Sequence, residues 1–158
     1  MVSDGYVYVQ AGGGFCKLEK ATGKLVWRKL SDGGGMNGSA FSSPVTATVA
    51  GKKQILVQTR ANLVGVDIES GDTLWSRNIK TFRGMNILTP TFYKDSVFTS
   101  AYGGNTKMIN VKNENGGFSA EEGWTNRVQG YMSSPIIIEN HVYLHLRNQR
   151  FTLSLIHI

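Results

Sequence analysis

A single cysteine, Cys16, leaves this 158-residue chain without an intrachain disulfide or a cysteine-rich metal cluster. It falls at an apolar strand position with no neighbouring histidine or helix N-terminus to activate it, and reads as a small buried hydrophobe. Proline is scarce at 3 residues, whereas glycine reaches 19. That balance, with aromatics spread along the chain, fits an all-β domain of short strands and many turns. No segment holds the apolar period of a long helix, and no apolar run is long enough for a transmembrane segment. The first residues also lack a basic region followed by an apolar core. Acidic residues are outnumbered, 11 against 17 Lys and Arg, for a net charge of +6. Such an excess draws nucleic acid or anionic membrane when it is clustered. Here the cations are scattered singly along the sequence, which points to solvated surface and away from nucleic acid.

What the chain does have is repetition. An alternating apolar strand starts at Phe15, Leu63, Met108 and Phe151, at spacings of 48, 45 and 43 residues. A small hydroxyl residue precedes proline at Ser43-Pro44, Thr89-Pro90 and Ser134-Pro135, and tryptophan recurs at Trp27, Trp75 and Trp124. Three markers agreeing on one period of this length signal a solenoid or a propeller. The clearest copy, Ser43 to Arg77, divides into four strands joined by tight turns, with Pro44 at a first-strand position where its missing N–H costs no ladder bond. Four antiparallel strands make a twisted sheet that must stack on its neighbours to bury both faces. The fold expected is therefore an all-β β-propeller fragment of about three and a third four-stranded antiparallel blades within residues 1–152. The blades fall at 1–30 (partial), 43–79, 88–128 and 133–152 (partial). In the third copy four extra residues between Gly116 and Trp124 predict a surface excursion. Residues 153–158 break the apolar-then-polar pattern of the other copies. They resemble the translated end of a sequencing-library adapter and read as a non-native tail, so both ends are expected to be cuts through a longer gene.

The repeats resemble the pyrroloquinoline quinone (PQQ) repeat family, whose unit runs roughly Ala-x-Asp-x-x-Thr-Gly-x-x-x-Trp. Glu19, Thr22, Gly23 and Trp27 match it, as do Asp67, Ser70, Gly71 and Trp75; Gly116 with a displaced Trp124 is a looser third copy. By their chemistry the acidic and hydroxyl residues bond turn backbone, glycine closes the hairpin and tryptophan supplies flat apolar surface. The resemblance implies that these tryptophans dock adjacent blades. It also implies an extracytoplasmic, periplasmic location and one of two functions. Some members are quinoprotein dehydrogenases holding PQQ and calcium above the propeller axis. Others bind no cofactor and act as scaffolds, among them a lipoprotein of outer-membrane β-barrel assembly. No adjacent cysteine pair and no assignable calcium ligand is present. The leading expectation is therefore a non-catalytic scaffold binding a protein or other extracytoplasmic ligand, beside the remaining blades of its own propeller. The alternative is part of a PQQ-dependent dehydrogenase with its catalytic residues outside this chain.

Ligand-facing loops of a propeller are those between blades and between the second and third strands. They hold Gln10, Met36, Asn37, Arg60, Asn62, Met85, Asn86, Tyr102, Tyr131, Met132, Arg147, Asn148 and Gln149. Arg60 and Arg147 occupy equivalent turns. Two guanidinium forks there could clasp a carboxylate or the acidic rim of a partner, the other reading being ordinary turn solvation. No metal site is expected. His141 and His145 share a strand face about 13 Å apart, too far to share one ion. Gly33-Gly34-Gly35 lacks the Lys-Ser/Thr and helix of a phosphate loop, and Glu121 with Glu122 reads as an exposed acidic turn.

Overall fold

The computed structural model describes residues 1–11, 13–31, 41–130 and 132–155. These form four antiparallel meanders. The first runs β1 (Val2–Ser3), β2 (Tyr6–Gln10), β3 (Phe15–Glu19) and β4 (Leu25–Lys29), and the second β5 (Val45–Val49), β6 (Lys52–Gln58), β7 (Asn62–Asp67) and β8 (Thr73–Asn78). The third is β9 (Thr91–Tyr93), β10 (Ser96–Ser100), β11 (Thr106–Glu114) and β12 (Gly117–Asn126); the fourth holds β13 (Ile136–Ile138), β14 (His141–His145) and β15 (Phe151–Leu155). In each sheet the strands lie in chain order, so every connection within a blade is a hairpin. This is the arrangement of a β-propeller fragment.

Three apolar clusters fill the spaces between successive sheets, and each takes one of the repeated tryptophans. Tyr8, Phe15, Ile55, Val57, Val64 and Val66 pack with Trp27 between the first and second sheets. Trp75 joins Leu56, Leu63, Val97 and Ile109 between the second and third, and Trp124 packs with Phe98, Met108, Val142 and Leu144 between the third and fourth. The registers show how the tryptophans reach these positions. Trp27 pairs with Lys17, Trp75 with Gly65 and Trp124 with Met108, and in all three ladders the next step is a β-bulge. A bulge bends its strand and re-aims the adjoining side chain. Trp27 thereby crosses to the second sheet, where its Nε1 donates to Glu69 O at 3.0 Å and its indole lies on Gly71. Lys17, 3% exposed, makes a second link there, donating to Ile68 O at 3.0 Å and Glu69 Oε2 at 3.2 Å with its ammonium over the Tyr6 ring. The indole N–H of Trp75 instead donates to Gln54 Oε1 at 2.7 Å within its own sheet.

The structure departs from the sequence reading in four places. The first blade is a full set of four strands, although β1 spans only two residues. Prolines 44, 90 and 135 each stand immediately before the first strand and not within it. The third hairpin is no loose excursion. Its extra residues lengthen β11 and β12 beyond the bulge, so Trp124 keeps the register of the other tryptophans, and Phe118 and Ala120 pack on the core between the second and third sheets. Finally, residues 153–155 of the expected tail are strand, Leu153, Ser154 and Leu155 pairing with Tyr143, Val142 and His141; 156–158 lie outside the described residues.

Asp67 shows how a repeat residue holds its turn. Lys52 Nζ sits 2.6 Å from its Oδ2, and the N–H groups of Glu69 and Ser70 donate to Oδ1 at 2.9 and 3.0 Å. The lysine first, then these amides, hold the carboxyl down at about 2 against an ordinary 3.8. Because the folded value is the lower one, the stabilisation is complete well above the ordinary value and is lost as pH falls through about 2. Asp67→Asn is expected to cost about 2 kcal/mol at neutral pH, the difference from the parent closing as acid is added. Denaturant titrations at neutral pH and on stepwise acidification check this. Trp75→Phe strands the fully buried Gln54 Oε1 and is expected to cost about 1–3 kcal/mol in the same assay.

Candidate functional site

A meander places its turns at two opposite edges of the sheet stack. The upper edge carries the second-to-third strand turns and the connections between sheets; the lower edge carries the remaining turns. Charge divides between them. Among the described residues the upper turns and connections hold Arg60, Lys80, Arg83, Arg127, Arg147 and Arg150, with no Asp or Glu. The lower turns hold five acids, Asp4, Glu69, Asp72, Asp95 and Glu139, against three lysines, Lys20, Lys24 and Lys94. The ion pairs follow the same division, because all six take a lysine as the cation. Among the described residues no arginine lies within ion-pair distance of a carboxylate.

The upper edge is also built, group on group, across three sheets. Arg60, in the β6–β7 turn, donates from Nη2 to Arg83 O at 3.3 Å. Arg83 stands in a 3-10 turn, Phe82–Gly84, with a left-handed backbone (φ 51°), and its guanidinium lies 5.1 Å from the Phe82 ring. Phe82 meets Tyr102 of the β10–β11 turn edge-on, with ring centres 5.5 Å apart. Tyr102 in turn lies under the Arg147 guanidinium of the β14–β15 turn at 4.5 Å. Hydrogen bonds to backbone fix the strip: Phe82 N and Thr81 Oγ1 donate to Tyr102 O at 2.7 and 3.0 Å, Gly103 N donates to Gln129 Oε1 at 3.2 Å and Arg147 N to Gln129 O at 2.8 Å. Two glycines make the close approaches possible. A Cβ on Gly84 would stand 2.5 Å from Arg60 Nε, and one on Gly103 2.6 Å from Phe82 Cβ; both glycines also have positive φ.

Clefts flank the strip. One of about 610 Å³ is lined by Arg127, Gln129, Leu146, Arg147 and Asn148, another of about 410 Å³ by Arg60, Lys80, Thr81 and Gly84, and a third of about 260 Å³ by Met132, Ser133, His145 and Arg147. Arg60 and Arg147 are joined through Arg83, Phe82 and Tyr102 and do not clasp one point. Asn86 is buried beneath, its Nδ2 donating to Thr59 O and Arg60 O while its Oδ1 has no donor. Asn62 receives a 3.4 Å bond from Asn78, Gln10 bonds Ser42 O and Gln58 O, and Asn148 caps Arg150 N beside Gln149. Met85 is half-buried and Met132 is 68% exposed. Met36, Asn37 and Tyr131 lie outside the described residues. His141 and His145 do share one face of β14, and among the described residues no three His, Cys, Asp or Glu side chains converge as metal ligands. The guanidinium and amide groups of the upper edge do not fit calcium, which takes oxygen ligands, carboxylates foremost.

The fold and the tryptophan-anchored repeats define the class: a propeller built from PQQ-like repeats. Within that class the chain belongs to the family described as outer membrane protein assembly factor BamB, whose model matches residues 1–155. It is similar to the outer membrane protein assembly factor BamB of Francisella salina, with 27% identity over 107 residues, 68% of this chain and 18% of that protein. Among solved structures it is similar to BamB from Moraxella catarrhalis, at 19% identity and a TM-score of 0.60, over 95% of this chain and 42% of that one. The computationally designed Ika4 protein matches at 14% identity and a TM-score of 0.61, over 98% of this chain and 87% of that one. At these identities the two structures show the fold alone. The chain therefore spans under half the length of both natural relatives.

Sequence reasoning missed Phe82 and Arg83, which stand in a connection without repeat character. The one signal was the pair of glycines, Gly84 and Gly103, that seat Arg60 and Phe82. Gly103→Ala is expected to cost about 1–2 kcal/mol, from a strained positive φ and from displacement of Phe82. Thermal unfolding measures the cost, and faster amide exchange at Phe82, whose N–H bonds Tyr102 O, locates it.

Proposed function

We propose that this chain is a non-catalytic propeller that serves in outer membrane protein assembly, in the periplasm, by holding a protein partner against its upper edge. The observation that carries the reading is the family match over residues 1–155. The site supports it, since the upper edge offers a braced, exposed recognition surface. A scaffold needs a rigid surface whose exposed groups are not already satisfied by one another. The Arg83 and Arg147 side chains meet that requirement, being exposed and stacked on rings that are themselves tied to backbone.

A photo-crosslinking amino acid placed at Tyr102, and separately at Lys20 on the lower edge, tests the reading in cells. The Tyr102 position is expected to give a discrete adduct with a component of outer membrane assembly, identified by mass spectrometry, and the Lys20 position none. Titration of the protein with PQQ and calcium, followed by dye reduction on alcohols and sugars, is expected to give neither saturable binding nor turnover. Binding with turnover would replace the scaffold by a quinone-dependent dehydrogenase.

A further inference from the structure

We infer that the strip Arg60, Arg83, Phe82, Tyr102 and Arg147 is a docking site for an acidic, extended segment of a partner protein. The inference rests on the scaffold reading and gives its partner a chemistry. The first ground is the segregation of charge. Among the described residues the upper turns and connections hold six cations and no Asp or Glu, while the acidic side chains sit at the lower edge and mid-sheet, six of them paired with lysines. An edge of one sign focuses its field outward and steers a partner of the other sign.

The second ground is the way the guanidinium groups are held. Stacking on an aromatic face fixes the plane of a guanidinium and leaves its N–H edge free to take a carboxylate through two parallel bonds. The Arg147 guanidinium carbon lies over the Tyr102 ring at 4.5 Å and that of Arg83 over the Phe82 ring at 5.1 Å, and the two rings meet edge to face between them. The strip therefore presents cation, ring, ring, cation across three sheets, with Phe82 47% exposed in the middle. A chain placing carboxylates at the two arginines and an apolar side chain over the Phe82 edge satisfies every group.

The same geometry argues against the other anionic macromolecules. Single-stranded nucleic acid binds such surfaces by stacking bases on open aromatic faces. Here each ring has one face under a guanidinium, and the rings meet edge to face, so no open two-ring platform is presented. A membrane surface rewards flexible lysines around inserted apolar groups; five of the six upper cations are arginines, and the two central ones are immobilised on rings.

Fluorescence anisotropy with the full chain tests this, using a labelled peptide of alternating Glu and Leu against its alternating Gln and Leu counterpart. The Glu peptide is expected to bind about tenfold or more tightly than the Gln peptide, and to weaken as NaCl is raised. Arg83→Glu with Arg147→Glu should abolish the preference, whereas Lys20→Glu with Lys24→Glu, an equal charge change at the lower edge, should leave it. Arg147→Lys keeps the charge but loses the planar fork. It is expected to weaken binding several-fold, and it decides the matter if the charge-reversed protein fails to fold. Equal affinity for the two peptides, equal loss in the lower-edge variant, or an unchanged affinity in Arg147→Lys overturns the inference. So does tighter binding of phosphatidylglycerol vesicles or of a single-stranded oligonucleotide than of the Glu peptide. Loss of the peptide preference with the Tyr102 adduct intact removes the acidic chemistry and leaves the assembly reading standing; loss of both removes both.

Discussion

None of these sheets can bury both its faces by itself, and the molecule is organised around that constraint. A meander of three or four short strands has two apolar faces and needs a neighbour on each side. Each of the three junctions takes one tryptophan, set beside a bulge in the outer hairpin of the preceding sheet. Because the bulge falls next to Trp27, Trp75 and Trp124 alike, the same re-aiming recurs at each junction. The turn residues follow from this. Gly71 has no side chain, so the indole of Trp27 can lie against it, and Asp67 holds the backbone of the turn that delivers Gly71 to that place. Fold residues of the repeat thus act as a set, each shaping the contact of the next.

Much of this was legible in the sequence, for a physical reason. Periodic burial imposes periodic residues, so the tryptophans, the hydroxyl-proline pairs and the alternating strands reveal the blade before any coordinate is known. The bulges were not legible, since a bulge is one residue of offset between two ladders and leaves no composition of its own. The third hairpin misled for a related reason. Four extra residues look like a loop in a linear comparison, but here both strands of the hairpin are longer and its turn shorter, and Trp124 stays opposite Met108. The upper strip was half legible. Arg60, Tyr102 and Arg147 sit at equivalent turns and could be named from the repeat, whereas Phe82 and Arg83 sit in a connection that obeys no period. Their place depends on a positive φ at Arg83 and on close approach to Gly103, which are properties of the folded chain.

The charge pattern takes on a direction in the folded chain that the linear order does not show. Cations scattered singly along a chain are not scattered in space when the chain is a meander, because every second turn returns to the same edge. The basic excess, diffuse in one dimension, becomes directional in three. Side-chain chemistry then divides the work. Among the described residues lysines pair with six acidic residues, and three of the pairs, Lys17–Glu69, Lys29–Asp72 and Lys53–Asp4, join the first sheet to the second. The two exposed pairs, Lys29–Asp72 and Lys53–Asp4, add little stability, about 0–1 kcal/mol each, so their larger effect is to remove negative charge from competition. The arginines are left without carboxylates among the described residues, and two of them are stacked on rings that fix their orientation. A surface needing charge only for solubility has no use for rigid guanidinium planes, since freely moving lysines are better hydrated. Rigidity without an internal partner costs side-chain entropy in the free protein and returns it when an external carboxylate arrives, because less freedom is then left to lose. On the docking inference, the upper edge is organised for that second event.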